Sequence, residues 1–346
     1  MRWIIPISLV ILLLALLLPL IFVYSPALPM PGEADEPEEP EEISPPPDAG
    51  EPESPLQDAA LILRVLAGDE VWEMSMAEFL QGVVAAEMPA RFHPEALRAQ
   101  AVAARTYALH RMLVAPSPRH PEAHVCGSYA CCKAFHPPER LRERWGDGFE
   151  HYSAVIAEAI RDTDGIILLY EARPILAAFH AGSYGYTEAS GAIWGEVPYL
   201  QSVRSFESEA DMPRFYAAET LTFTAFRDTV RREFSDAVLE DGNTLDWITS
   251  IVYTDSGRVA HLDIGGVTVT GPQFRRLFGL RSTAVRFSFD ADGITITTGG
   301  HGHGVGMSQF GANTMANLGH GFMEILDWYY TGVTFGRTED LALDLR

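Results

Sequence analysis

One acid stands out of place in the stretch QGVVAAEMPARF, residues 81–92. Met76, Phe79, Leu80, Val83 and Val84 recur at helical spacing, and Glu87 continues their apolar face. A carboxylate on such a face loses water, its pKa is expected to rise, and it becomes a candidate general acid at neutral pH. Two plainer readings compete: the last helical turn frays and Glu87 points into water, or Glu87 forms a structural bridge with Arg105. The only cysteines, Cys126, Cys131 and Cys132, are clustered. Three thiols cannot all pair, and adjacent ones rarely bridge, so the cluster suggests a metal. The segment RHPEAHVCGSYACC supplies His120 as a fourth ligand, with His124 and His136 in reserve. Three thiolates and one imidazole make a closed structural zinc site, against a Cys126 disulfide or free thiols. A third feature is the glycine-rich loop GGHGHGVGMSQFGAN. It ends at Ser308, an expected N-cap, and would present free backbone N–H groups to a carboxylate at a helix start. It lacks the G-K-[ST] ending of a nucleotide loop. His301 and His303 are either a zinc-holding pair or surface residues of a tight turn.

The elements that must position these residues can be read along the chain of 346 residues. Trp3–Tyr24 is an uncharged apolar run, long enough to cross a hydrocarbon core of about 30 Å. Arg2 precedes it and acids follow, so an uncleaved anchor over residues 1–25, with its N-terminus in the cytoplasm, is expected; a cleaved signal peptide is the rival. Residues 26–56 read as an acidic, proline-rich linker that cannot form a core. Ten acids between Pro31 and Pro55 account for almost half of the net charge of −22, and the rest of the chain is acidic as well. That balance argues against nucleic acid or anionic lipid as the partner. Residues 57–346 read as one extracytoplasmic folded domain of α+β class, with helices and short, mainly antiparallel strands around a groove. A hairpin turns at Gly68-Asp69, and Ser75 to Glu78 forms a capping box. Pro89 stops the first helix near Met88, and Pro94 opens an alanine-rich second helix. A helix over 152–161 precedes β-like runs at 166–170 and 175–180. Another helix over 224–234, short strands in DWITSIVYT, RVAHLDI and VTVT, a helix over 272–278 and a hairpin from AVRFSFD and GITITT complete the pattern.

The segment VVAAEMPARFHPEALRAQAVAARTYAL resembles the signature of the stage II sporulation protein D family. FHAGSYGYTEAS, PYLQSVRSFES and GHGHGVGMSQFGAN resemble its other marked segments, in the expected order, and the likeness runs from residue 58 to residue 335. The resemblance implies a membrane-anchored lytic transglycosylase that cuts peptidoglycan glycan strands during forespore engulfment, with Glu87 as its catalytic acid. It also implies substrate-binding roles for Arg105, Ser183, Tyr184, Thr187, His303 and Gln309, with Tyr186 as a second ring for stacking on a sugar. The glycine-rich loop would then face the lactyl carboxylate of a peptide-free muramic acid. Some clostridial members carry a zinc loop spaced His-x5-Cys-x4-His-Cys; this chain matches it with Cys131 in place of the second histidine. Expected partners are the glycan strands, an amidase–endopeptidase and a polytopic membrane scaffold. Two other functions are carried forward: a non-catalytic enhancer of a wall amidase, because related domains are described that way, and a zinc peptidase using His301 and His303.

Overall fold

Gly68 adopts φ +66°, which lets the chain reverse in two residues. The turn joins β1 (Ile62–Ala67) to β2 (Glu70–Ser75), after a short helix α1 (Gln57–Ala60). The computed structural model describes residues 57–240 and 244–341. The expected anchor and linker lie outside the described residues; among the described residues no helix is long and apolar enough to cross a membrane. Ser75 ends β2 and caps α2 (Met76–Glu87): its hydroxyl accepts from the Glu78 N–H, and the Glu78 carboxylate accepts from the Ser75 N–H. The predicted apolar face is wholly buried, with none of Met76, Phe79, Leu80, Val83 and Val84 more than 1% exposed. Each such side chain contributes about 1.5–3 kcal/mol. Met88 is extended, so the helix ends at Glu87, as Pro89 requires.

Pro94 opens α3 (Pro94–Leu113), the central helix. Its six alanines are buried, which lets neighbouring helices and a strand pack directly on its backbone. Arg105 lies mid-helix and is fully buried, and Glu87 is not among its hydrogen-bond partners. Its Nε donates to Asp58 at 2.8 Å and its Nη1 to the Ile166 carbonyl at 3.0 Å. The first helix, α1, brings Asp58 across α3 from 47 residues away, a pairing that no local spacing announces. Arg105→Ala strands the Asp58 charge in the core. We expect a loss of about 3–5 kcal/mol in a urea titration. A variant as stable as the parent would show that the pair is structurally idle.

The next elements are β3 (Val125–Cys126), which pairs parallel with β1, then α4 (Pro138–Trp145), α5 (Phe149–Arg161), β4 (Ile166–Tyr170) and β5 (Arg173–Pro174). The strand expected over 175–180 shrinks to β6 (Phe179–His180). Ahead of it the N–H groups of Ala177 and Ala178 bond back to Ile175 and Leu176, so that part joins no ladder. A second, smaller core follows. It is built from β7 (Tyr216–Thr222), α6 (Phe223–Glu233), β8 (Ile248–Tyr253), β9 (Val259–Ile264), β10 (Val267–Thr270), α7 (Gly271–Leu277), β11 (Ala284–Phe289) and β12 (Gly293–Gly299). Two three-stranded antiparallel sheets, β10-β9-β8 and β11-β12-β7, hold it together. Phe226 stacks between Trp247 and Phe278 at its centre. Strand β7 has no apolar alternation to read, because none of its side chains is fully buried. The chain returns to the main core through β13 (Met307–Ser308), parallel to β6, and ends with α8 (Gln309–Asn317), α9 (Phe322–Tyr329) and β14 (Thr334–Arg337). The class is α+β, as the sequence predicts.

Candidate active site and metal cluster

Glu87 is the last residue of α2, half-buried where three segments meet. The Ala134 N–H donates to its Oε1 at 3.0 Å, and the Gln309 side-chain amide reaches its Oε2 at 3.4 Å. Gln309 is itself buried and also reaches Gln100 at 3.4 Å. It therefore braces the acid from the start of α8. Glu87 does not fray into water, nor does it bridge to Arg105.

A neighbour escaped sequence reasoning. Lys133 is buried, with its ammonium 3.4 Å from the centre of the Phe179 ring and 4.5 Å from that of Tyr107. Burial brings its pKa down to about 8, while the charges of Glu87 and Cys132 act the other way. A cation therefore stands beside the candidate acid. Nothing in the local pattern signals it, because the loop that carries Lys133 folds back onto the end of α2.

The glycine-rich loop lies alongside. Ser308 caps α8 as expected, accepting from the Gly311 N–H at 3.2 Å. The place expected for a ligand carboxylate is already taken, however, by the chain's own Glu207. That buried carboxylate accepts from the Ser308 and Ser205 hydroxyls and from the Ser183 N–H. Ser183 also gives its hydroxyl to His180 Nε2 at 2.7 Å, and the Thr187 hydroxyl accepts from the Val203 N–H at 2.9 Å. Both residues, for which the resemblance implies sugar contacts, are fully buried and hydrogen-bonded within the protein. Tyr184 is half-buried against Phe215 and Tyr216, and Tyr186 is exposed. These two rings keep access to solvent.

His303 stays near the centre. Its Nδ1 accepts from the Val305 N–H at 3.1 Å, and its ring lies against His180 and Trp194. Burial, then the charges of Lys133, Arg275 and Arg258, bring its pKa down to about 3. The unfolded chain takes up this proton near the ordinary histidine pKa of about 6.5, whereas the folded chain resists it. Stability should therefore be complete above that value and fall as pH drops towards 3. Thermal melts of His303→Gln should lose less between pH 6.5 and 4 than the parent does; parallel curves would exclude this residue as the source.

His120, Cys126, Cys131 and Cys132 converge, with their ligand atoms within 4.8 Å of one another. The Cys131 and Cys132 sulfurs are 4.0 Å apart, and His120 Nε2 is 3.3 Å from the Cys132 sulfur. Zinc–sulfur bonds of about 2.3 Å place tetrahedral sulfurs about 3.8 Å apart, so the donor set fits zinc. His120 Nδ1 faces the Ala123 carbonyl at 3.1 Å, which leaves Nε2 for a metal. All three cysteines are free thiols. Burial opposes ionisation of Cys131, but hydrogen bonding from Cys126, His120, Cys132 and Ser117 outweighs it and brings the thiol down to about 7. His124 spends Nδ1 on the Arg64 N–H and stays out of the cluster, as does His136. Among the described residues this is the one such group of possible ligands; His301 and His303 belong to none.

With this geometry in place, the likeness to other proteins becomes specific. A family model described as Stage II sporulation protein (SpoIID) matches residues 67–170, the segment that carries α2, α3 and the cysteine loop. Over 274 residues the chain is 35% identical to the Stage II sporulation protein D of Bacillus subtilis (strain 168), covering 79% of this chain and 78% of that protein. The chain belongs to the stage II sporulation protein D family. The Stage II sporulation protein D of Bacillus amyloliquefaciens is also 35% identical, over 78% of this chain and 76% of its own. A protein of Bacillus subtilis named Amidase enhancer is 28% identical over 74% of this chain, which spans 40% of that protein. The matched segment of this sporulation family thus carries both the oriented carboxylate of Glu87 and the four-residue cluster.

Proposed function

We propose that this member of the stage II sporulation protein D family is a lytic transglycosylase acting on peptide-free peptidoglycan during engulfment. The observation that carries the reading is Glu87: a half-buried carboxylate at the end of an apolar helix, held by the Ala134 N–H and by Gln309. Glycosidases that use water need two carboxyl groups flanking the bond. One carboxyl group suffices if the nucleophile belongs to the substrate. Protonated Glu87 gives its proton to the oxygen linking N-acetylmuramic acid to N-acetylglucosamine, and the bond from that oxygen to the muramoyl C1 breaks. The carboxylate so formed takes the proton of the muramoyl C6 hydroxyl as that oxygen closes on C1. The products are a free 4-hydroxyl on N-acetylglucosamine and a 1,6-anhydro end, with Glu87 protonated again. Lys133 would stabilise the carboxylate stage and so favour the proton's departure.

Zinc in the His120, Cys126, Cys131 and Cys132 cluster would have a structural role, because four protein ligands leave no open position. It would pin the loop whose Ala134 N–H holds Glu87. The function further implies an N-terminal membrane anchor with the domain outside the cell, an amidase–endopeptidase that strips the strands, and a polytopic membrane scaffold. The likeness to a protein named Amidase enhancer supports a second, non-catalytic reading. Incubating the purified protein with peptide-free glycan strands separates the two. Mass spectra showing anhydro-ended fragments, one water lighter than hydrolysis products, support the transglycosylase. Intact strands together with faster cleavage by an added amidase support the enhancer.

A further inference from the structure

A cavity of about 540 Å³ opens where the second core meets the glycine-rich loop. Its size suits a sugar residue. It is lined by Arg275 and Arg276 of α7, Thr283, His303 and Tyr129 of the cysteine loop, and none of its lining residues is acidic. That is unusual in a chain with 47 acids and 25 lysines and arginines. Arg275 gives Nε to the Leu280 carbonyl at 3.1 Å, and among the described residues neither Arg275 nor Arg276 forms an ion pair. The Thr283 hydroxyl has no hydrogen-bond partner although the residue is only 3% exposed. Behind the loop, Arg258 is buried with all three guanidinium nitrogens unpartnered. Gly304 packs against it so closely that a Cβ there would lie 2.6 Å from the guanidinium carbon. Arg258 stands outside the cavity lining and already feels the charges of Glu188 and Glu207, whereas the unpartnered Thr283 hydroxyl on the cavity wall points to a partner that arrives with a ligand.

We propose that this cavity is the subsite for the lactyl carboxylate of a peptide-free muramoyl residue. The proposal rests on the glycan-strand reading given above and names the feature of the strand that is recognised. A carboxylate in the cavity would meet the free N–H groups of the two arginines and the Thr283 hydroxyl, with Arg258 adding charge from behind. Tyr129, 86% exposed, and Trp194, 46% exposed and edge-on to His303, offer ring faces to the sugar. His303 lines the cavity, and its ring centre is 5.6 Å from that of His180, which pairs with Ser308 beside Gln309, the residue that reaches Glu87, so a short run of contacts joins the cavity to the acid. A stem peptide converts the lactyl carboxylate to an amide and removes the charge. The cavity would thereby distinguish stripped strands from peptide-bearing ones. The site expected at the start of α8 cannot do this, because Glu207 fills it.

The test measures binding in a Glu87→Gln background, so that strands are not cut, with and without Arg275→Gln and Arg276→Gln. The ligands are peptide-free glycan oligomers, the same oligomers with their lactyl carboxyls amidated, and N-acetylglucosamine oligomers. Amidation should weaken binding about tenfold or more to the arginine-bearing protein, the scale of one lost charge-assisted contact. The double variant should bind all three ligands at that weaker level. Exposed Arg276→Gln alone should cost part of the effect with an unchanged melting temperature, so misfolding is not the cause. Equal affinity for stripped and amidated strands in the arginine-bearing protein overturns the proposal. So does an equal loss for every ligand in the double variant. If binding follows the carboxylate while protein with native Glu87 leaves strands intact, the subsite stands and the transglycosylase reading fails.

Discussion

Glu87→Gln should leave a folded protein that no longer cuts glycan strands. Glutamine nearly matches glutamate in shape and still accepts the Ala134 N–H, so the end of α2 and the loop above it keep their contact. It cannot give or take the proton on which both halves of the reaction depend. A general acid contributes about 10²- to 10⁴-fold, and here one residue serves twice, so the loss should be at least of that order. The readout is the rate of anhydro-end formation by mass spectrometry, with circular dichroism as the folding control. A well-folded variant keeping more than about a tenth of the parental rate would exclude Glu87 as the acid.

Removing the metal from the cysteine loop should have the second large effect. The loop between α3 and α4 has one two-residue strand of its own, so a zinc ion bound by the four ligands would be its main cross-link. A metal present at about a thousand times its dissociation constant adds about 4 kcal/mol. In a domain of this size a strong chelator should therefore lower the melting temperature by on the order of 10 °C and open the loop to proteases. The purified protein should hold one zinc per chain, and Cys126→Ser should lose it. Activity should fall with the metal although the metal does no chemistry, because Ala134, two residues after Cys132, is a donor to Glu87. Full zinc retention by Cys126→Ser together with loss in His301→Ala would move the metal to the glycine-rich loop. A chain that is metal-free as purified and indifferent to chelator would remove the cross-link altogether.

Local rules account for what could be read without coordinates. The Ser75–Glu78 box, the stop before Pro89, the Pro94 start and the Gly68 turn each depend on residues within a few positions. The apolar face that ends in Glu87 follows from a period of 3.6 residues, and the four candidate metal ligands lie within 13 positions of one another. Order along the chain was enough to single out Glu87 and the four clustered residues as candidates. It was not enough to assign partners. Arg105 is bound to Asp58, 47 positions earlier, and Glu207 reaches Ser308 across 101 positions to occupy a site that looked open. Lys133 comes beside Glu87, and Gln309 aims at it from 222 positions away, only because the loop and α8 fold over the end of α2. The same folding buried Ser183 and Thr187 and left Arg275 and Arg276 facing a cavity without counter-charges. Periodicity and capping are properties of neighbours in sequence, whereas desolvation and charge pairing depend on which segments share a volume. The sequence alone therefore determined the elements whose signals are local and the chemically able residues, and the tertiary structure decided where a strand such as β6 or β7 finds its ladder, which residues are already satisfied and which are free to meet a ligand.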